Sequence, residues 1–348
     1  MRHIIIGAGL SGLYMAYQLE KAGKDYLILE GKNQVGGRTA GLQASQDWDL
    51  ELGATWFWPD FDTHLTDLID ELGLESFDQP TGVYLYEETS GKPRQFHRPY
   101  SDGRRVRGGM NQLIYALLRK INIEHLHLQE RVKEITLKDE TIEVVTDKQT
   151  WQGEQVFLAL PPRLVATTIS FSPQLPLTAQ KNWLSTDTWM APHAKYIARF
   201  RTPFWKQKGL TGNAMSNLGP LAEVHDISDP EGGFGALFGF FAISSEERQK
   251  RGEEELKKLA RAQLVRLFGL ETLKNLEEDM IKDWSQDPFL ATSLDQEMAV
   301  THPKSATNHV TGDWQHKLVG ISSEFAPTMP GFLSGAVEAV EEALAKKK

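Results

Sequence analysis

The chain opens on a β-branched run, His3-Ile4-Ile5-Ile6, that stops at Gly7. Apolar positions then recur at helical spacing from Leu10 to about Ala22, and a second run, Tyr26-Leu27-Ile28-Leu29, ends at Glu30. Strand, turn, helix and strand in that order predict a βαβ unit. Helical periods return at Thr63 to Leu72, Asn111 to Ile121 and Glu253 to Phe268. Strands are predicted at Val83 to Tyr86, before the turn Ser90-Gly91-Lys92-Pro93, and by alternation at Val132 to Leu137 and Thr141 to Thr146. Gln155 to Leu160 is apolar enough to be buried on both faces and is closed by Pro161-Pro162. Phe234 to Ile243 reads as a buried strand punctuated by glycine, and a last helix starts at Phe332 with Ala336, Val337, Ala339, Val340 and Leu344 at helical spacing.

The first turn carries chemistry. Gly7, Gly9 and Gly12, with Leu10 and Ser11 between them, fit a dinucleotide fingerprint. Gly9 permits backbone approach to a pyrophosphate, Gly12 lets the helix pack on the strand, and the helix start offers unpaired N–H groups to anions. Glu30, eighteen positions after Gly12, is placed to accept from ribose hydroxyls, and its charge disfavours a 2′-phosphate. A second glycine pair follows Gly31, in Val35-Gly36-Gly37-Arg38-Thr39, and brings a cation that can pair with phosphate or lie over a ring.

With Asp49-Leu50-Glu51-Leu52-Gly53-Ala54-Thr55-Trp56, Arg107-Gly108-Gly109-Met110, Leu158-Ala159-Leu160-Pro161-Pro162, Lys195 ahead of Pro203-Phe204-Trp205, Trp284 with Asp287-Pro288, and Glu324 with Pro330-Gly331, the chain resembles the flavin-containing amine oxidase family. That family includes monoamine oxidases, polyamine oxidases and lysine-specific histone demethylases. The resemblance implies an α/β fold: an FAD-binding Rossmann-like domain of the glutathione-reductase type, with a discontinuous and reduced α+β substrate domain. Residues 1–80, 106–166 and 286–348 are expected to form the first, and 81–105 and 167–285 the second. It implies noncovalent FAD held by the glycine segments, Glu30, Gly53, Ala54, Thr55, Trp56, Val132, Trp284, Phe332 and Leu333. Glu324 is expected to bond the cofactor's ribityl or phosphate region. Lys195, by the same resemblance, holds a water at flavin N5 and assists reaction of reduced flavin with O2.

The two facing tyrosines of monoamine oxidases fall here on Leu294 and Phe332, so one aromatic wall is expected to survive. The substrate pocket is expected to include Trp56, Leu294 and Phe332. The position that carries covalent flavin falls on Ser293, which cannot form the thioether. Only about two dozen residues, Val83 to Arg107, stand where monoamine oxidases roof the cavity with several helices, which implies a more open pocket. The implied reaction is hydride transfer from an amine to flavin N5, with O2 as acceptor. Two other readings stay open: desaturation or oxidation of a non-amine, as in protoporphyrinogen oxidases and carotenoid desaturases, or a flavin-bound accessory protein without turnover.

Composition narrows these possibilities. The 348 residues exceed one typical domain, and a 40% hydrophobic content with nine tryptophans supplies a core. A net charge of −9 argues against a nucleic-acid partner. Arg104, Arg105 and Arg107 read as a solvated loop beside a helix start. The absence of cysteine excludes disulfides, thiolate nucleophiles and zinc–thiolate sites. His125 and His127 alternate on a strand and read as surface residues, so no metal is expected. A strand beginning at residue 3 leaves no room for a signal peptide, and no apolar run reaches membrane-spanning length. A cytoplasmic enzyme acting on a small molecule is therefore expected, its oligomeric state open.

Overall fold

A computed structural model of the chain describes residues 2–89, 92–100, 103–296 and 302–345. Ser90 and Gly91 of the expected turn lie outside the described residues.

The opening strand, Arg2–Ile6, lies at the centre of a five-stranded sheet in the order Leu318–Gly320, Gln155–Leu158, Arg2–Ile6, Asp25–Glu30, Leu126–Leu128, with every pair parallel. Side chains alternate across a strand, so each apolar run must serve two cores. Ile5, Ile28 and Phe157 pack under helices Leu10–Lys21, Gln112–Leu118 and Leu333–Ala345. Ile4, Ile6, Leu27, Leu29, Val156 and Leu158 face the other way, onto the sheet Thr150–Gly153, Thr141–Thr146, Val132–Lys138, Ser170–Ser172 and the buried Trp183 and Trp314. Chain end and chain start therefore share one core.

The second unit is a seven-stranded sheet in the order Leu276–Asp283, Ala194–Phe200, Gly235–Phe241, Leu221–Asp226, Leu210–Ser216, Gly82–Glu87, Pro93–Arg98. Tyr196, Ala198, Phe200, Leu237 and Phe241 pack beneath helix Glu253–Phe268 through Leu256, Ala260, Leu264 and Leu267. Ile197, Ala236 and Phe238 face the opposite side and meet Trp48 and Leu50 from the nucleotide half. The stretch after Val83 supplies two strands of this sheet rather than roofing helices.

Two expectations change here. Strand Ser170–Ser172 pairs with Glu134 to Thr136, and helix Leu177–Ser185 buries Ala179 and Trp183 in the nucleotide-side core, so the crossing to the second sheet comes later than residue 167. Arg105 is not solvated. It is 1% exposed and makes a buried ion pair with Glu51, which is 2% exposed. Its run of arginines resembles a solvated loop, but strand Arg104–Val106 pairs with Ser76–Asp78 and turns alternate side chains inward. Among the described residues no helix is long and apolar enough to cross a membrane.

Candidate active site

The two units enclose a cavity of about 620 Å³, within the usual range for small-molecule sites. One end is built by the opening βαβ unit. Helix Leu10–Lys21 starts at Gly9 with no side-chain cap, so its first N–H groups remain available. A Cβ on Gly12 would lie 1.9 Å from the Gly7 carbonyl oxygen, whereas one on Gly9 would meet only the Gly36 and Gly37 backbones at 3.9–4.0 Å. Gly12 therefore serves helix–strand packing and does not line the cavity, while Gly7, Gly9, Leu10 and Ser11 do. Gly36 adopts φ 107° and ties the second glycine segment to the first through its N–H to the Ala8 carbonyl at 2.9 Å. A Gly12→Ala variant is expected to lose bound flavin and fold poorly, because the clash is with backbone; flavin content after purification measures it.

Glu30 is buried at the end of its strand, where Oε2 accepts from Ala8 N–H and Oε1 from Lys32 N–H, both at 2.8 Å. Burial pushes its carboxyl pKa up despite those bonds. Each oxygen keeps a lone pair that can take a hydroxyl donor. Beside it, Gly31 is required because a Cβ would lie 2.5 Å from the Phe289 ring, and that ring also lies 5.3 Å from the Arg131 guanidinium. Val132 completes this end. Sequence reading missed Phe289 and Arg131, which no glycine motif marks.

Arg38 comes next. Its Nη2 donates to Glu324 Oε2 at 2.9 Å and to Ser323 Oγ at 3.0 Å, and its Nη1 donates to Glu324 Oε1 at 2.5 Å. Glu324 is wholly buried, with Arg38 holding its carboxyl below the ordinary range against desolvation. Glu324 does not itself line the cavity. Its carboxylate instead forks Arg38, which does line the cavity, and Ser323 supports that fork. Thr39 closes the turn through its hydroxyl to the Gly36 carbonyl at 2.7 Å.

At the other end stands Lys195. Along strand Ala194–Phe200 the even positions face the helix-covered core, so the odd position 195 is directed into the cavity. The side chain is 3% exposed. Its ammonium donates to the Gly53 carbonyl and to Thr55 Oγ1 at 2.9 Å, and lies 3.8 Å from the Phe238 ring centroid. Burial drives the amine pKa down from 10.5 to about 7. Gly53 cannot carry a side chain, since a Cβ would lie 1.8 Å from the Arg38 carbonyl oxygen.

Ala54, Thr55, Trp56 and Trp284 line the same chamber. Trp284 is fixed by its indole N–H to the Leu52 carbonyl at 3.1 Å. The expected aromatic wall is partly different. Phe332 is present and stacks on His302 at 4.0 Å, which in turn stacks on Trp189 at 3.6 Å. Leu294 is absent from the lining and 56% exposed. The capping box of Thr292 and Asp295 winds Ser293–Asp295 into a short turn that leaves Leu294 at the surface and out of the expected pocket wall. Trp189, His193 and His302 carry no motif and were missed. Buried Trp56 Nε1 and His193 Nδ1, both on lining residues, have no hydrogen-bond partner among the described residues.

The glycine cradle, the spare acceptors of Glu30, the forked Arg38 and these unpaired polar atoms fit a long ligand with an adenine-ribose end and a polar ring end. Comparison with known proteins decides the class. Residues 95–318 match the family model described as flavin containing amine oxidoreductase, and residues 5–72 match an NAD(P)-binding Rossmann-like domain. The chain belongs to the flavin-containing amine oxidoreductase family. It is accordingly an FAD-dependent oxidoreductase. It is 23% identical to the probable flavin-containing monoamine oxidase A of Dictyostelium discoideum, covering 96% of this chain and 94% of that one. It is also 23% identical to amine oxidase B of Cavia porcellus, covering 98% and 84%. The first alignment extends over 444 positions against a chain of 348, so the relative carries residues that this oxidoreductase lacks. Cyclohexylamine oxidase from Brevibacterium oxydans superposes with a TM-score of 0.83 at 18% identity, covering 99% of this chain and 98% of the other, which shows a shared fold.

With no cysteine in the chain, a thioether link to FAD is excluded. Protein precipitated with acid is expected to leave all yellow colour in solution; colour in the pellet would contradict this. Among the described residues no group of three or more acidic or histidine side chains is placed to hold a metal ion. His125 and His127 instead pack on Tyr26 and Trp151, at 4.8 and 4.3 Å.

Proposed function

We propose that this oxidoreductase oxidises an amine at the carbon next to nitrogen, giving an imine that water hydrolyses, with O2 reduced to hydrogen peroxide. When bound, the flavin would supply the acceptor for a hydride, which carries both electrons, and a route for those two electrons to O2. The residues of the chain bind, orient and manage protons. Gly7, Gly9 and the helix start at Leu10 are suited to diphosphate, Glu30 to ribose, and Arg38, aimed by Glu324, to an anionic or ring atom of the cofactor. Trp189, His302 and Phe332 form an apolar wall that strips water from the substrate nitrogen and favours its neutral, oxidisable form.

Lys195 carries the proposal. A buried amine whose pKa lies near 7 exchanges a proton at working pH, and Thr55 and the Gly53 carbonyl hold it in one orientation. The same nitrogen can order a water at the reacting face. Support for an amine substrate comes from the family and from relatives named as amine oxidases. The test is stoichiometric: one hydrogen peroxide and one aldehyde or ketone are expected per amine consumed. Peroxide without a carbonyl product, or turnover of polyenes alone, would shift the reading to the non-amine alternative.

A further inference from the structure

The face of the seven-stranded sheet that meets the cavity carries a row of three residues. Lys195 lies opposite Phe240, and Phe240 opposite Glu223. Residues paired across adjacent strands project to the same side, and all three line the cavity. Neighbouring strands lie about 4.8 Å apart, so the backbones of Lys195 and Glu223 stand roughly 10 Å apart with an aromatic ring between them. The Glu223 side chain is 41% open, and the imidazole nearest to it, His225 with Nε2 at 3.1 Å, belongs to the next row and is not part of the lining.

Charge distinguishes this end from the nucleotide end. There, Arg38 is paired with Glu324 and Lys32 with Asp287, while Glu130 accepts from Thr146, Gln149 and Trp151. At the sheet end, burial pushes His193, His302 and Lys195 toward their neutral forms. His225 holds the Glu223 carboxyl below the usual range. A carboxylate is thus presented to a chamber walled by Trp189, Phe240 and Phe332. An open carboxylate in such surroundings is stabilised by a ligand that brings a cation, and it repels one that brings a second carboxylate.

We propose that Glu223 makes this oxidoreductase selective for aliphatic diamines: its carboxylate receives the distal ammonium group while the nitrogen to be oxidised lies beside Lys195. This rests on the amine-oxidation reading above. Glu223 is a specificity-determining residue, because it acts on the end of the substrate that does not react.

The test uses the flavin-loaded enzyme with putrescine and n-butylamine, which share a carbon chain and differ in the second amine. Wild-type kcat/KM is expected to favour putrescine by at least about tenfold, and Glu223→Gln is expected to lower it on putrescine roughly 10–100-fold, mostly through KM. Turnover of n-butylamine by the variant is expected to stay within about twofold, in keeping with a contact that the monoamine never makes. An equal loss on both amines, or a wild-type preference for n-butylamine, would overturn the proposal even if the variant proved poorly folded. Oxidation of neither amine nor of any other amine would instead sink the amine-oxidation reading itself.

Discussion

Truncating Arg105 to alanine is expected to cost roughly 3–5 kcal/mol of folding stability, the penalty for leaving a buried charge without its partner. The guanidinium donates to both Glu51 oxygens at 3.0–3.2 Å and to the Ile227 carbonyl at 3.1 Å and the Ser228 carbonyl at 3.3 Å. It therefore ties the strand that leads to Gly53 to the segment that leaves strand Leu221–Asp226 of the seven-stranded sheet. Urea unfolding of wild type and variant measures the loss. Replacing both partners, Arg105→Met with Glu51→Leu, is expected to recover much of it, since an apolar pair leaves no charge unmatched. A loss below about 1 kcal/mol would show that the pair behaves as a surface ion pair. The same variant bears on the site. Glu51 raises the Lys195 pKa and Arg105 lowers it, so removing Arg105 alone is expected to move the amine's titration upward.

Lys195→Met is expected to lower turnover roughly 10²–10⁴-fold, the range for loss of a positioned proton-transfer group. The slower step is expected to be reoxidation by O2, with flavin binding little changed. Wild-type kcat/KM for O2 should show an inflection near pH 7, where the buried amine loses its proton, and that inflection should vanish in the variant. Stability provides an independent check. The folded pKa lies below the unfolded one, so the protonated lysine destabilises the fold fully below pH 7, and the penalty fades as pH rises toward 10.5. Lys195→Met removes this penalty. Its stability relative to wild type is expected to be greatest below pH 7 and to decline toward pH 10.5. Unchanged reoxidation would remove Lys195 from the proposed role.

How much of this was legible in sequence depends on how local each signal is. The βαβ unit reads directly, because β-branched runs, a glycine turn and a terminal acid need only their own neighbours. Helix Glu253–Phe268 and strand Thr141–Thr146 fall where periodicity places them. Residues whose role depends on distant chain are harder. Arg105 looks solvated until strand pairing turns it toward Glu51, fifty-four positions away. The fork by which Glu324 aims Arg38 joins positions 286 apart and leaves no local signal. Leu294 falls on a pocket position only if its loop follows the monoamine oxidase path, and the capping interaction of Thr292 and Asp295 turns it to the surface instead. Glu223 and the Trp189–His302–Phe332 stack carry no spacing signal; sheet register and ring packing bring them to the cavity.

The central claim is that the cavity joins a flavin cradle to an amine-oxidising chamber. Anaerobic mixing of the flavin-loaded protein with a panel of amines, amino acids and polyenes, followed through the visible absorbance of oxidised flavin, tests it most directly. Amines are expected to bleach the flavin, and admitting O2 is expected to restore the colour with release of hydrogen peroxide. Bleaching by polyenes but no amine, or by no compound at all, would contradict the account.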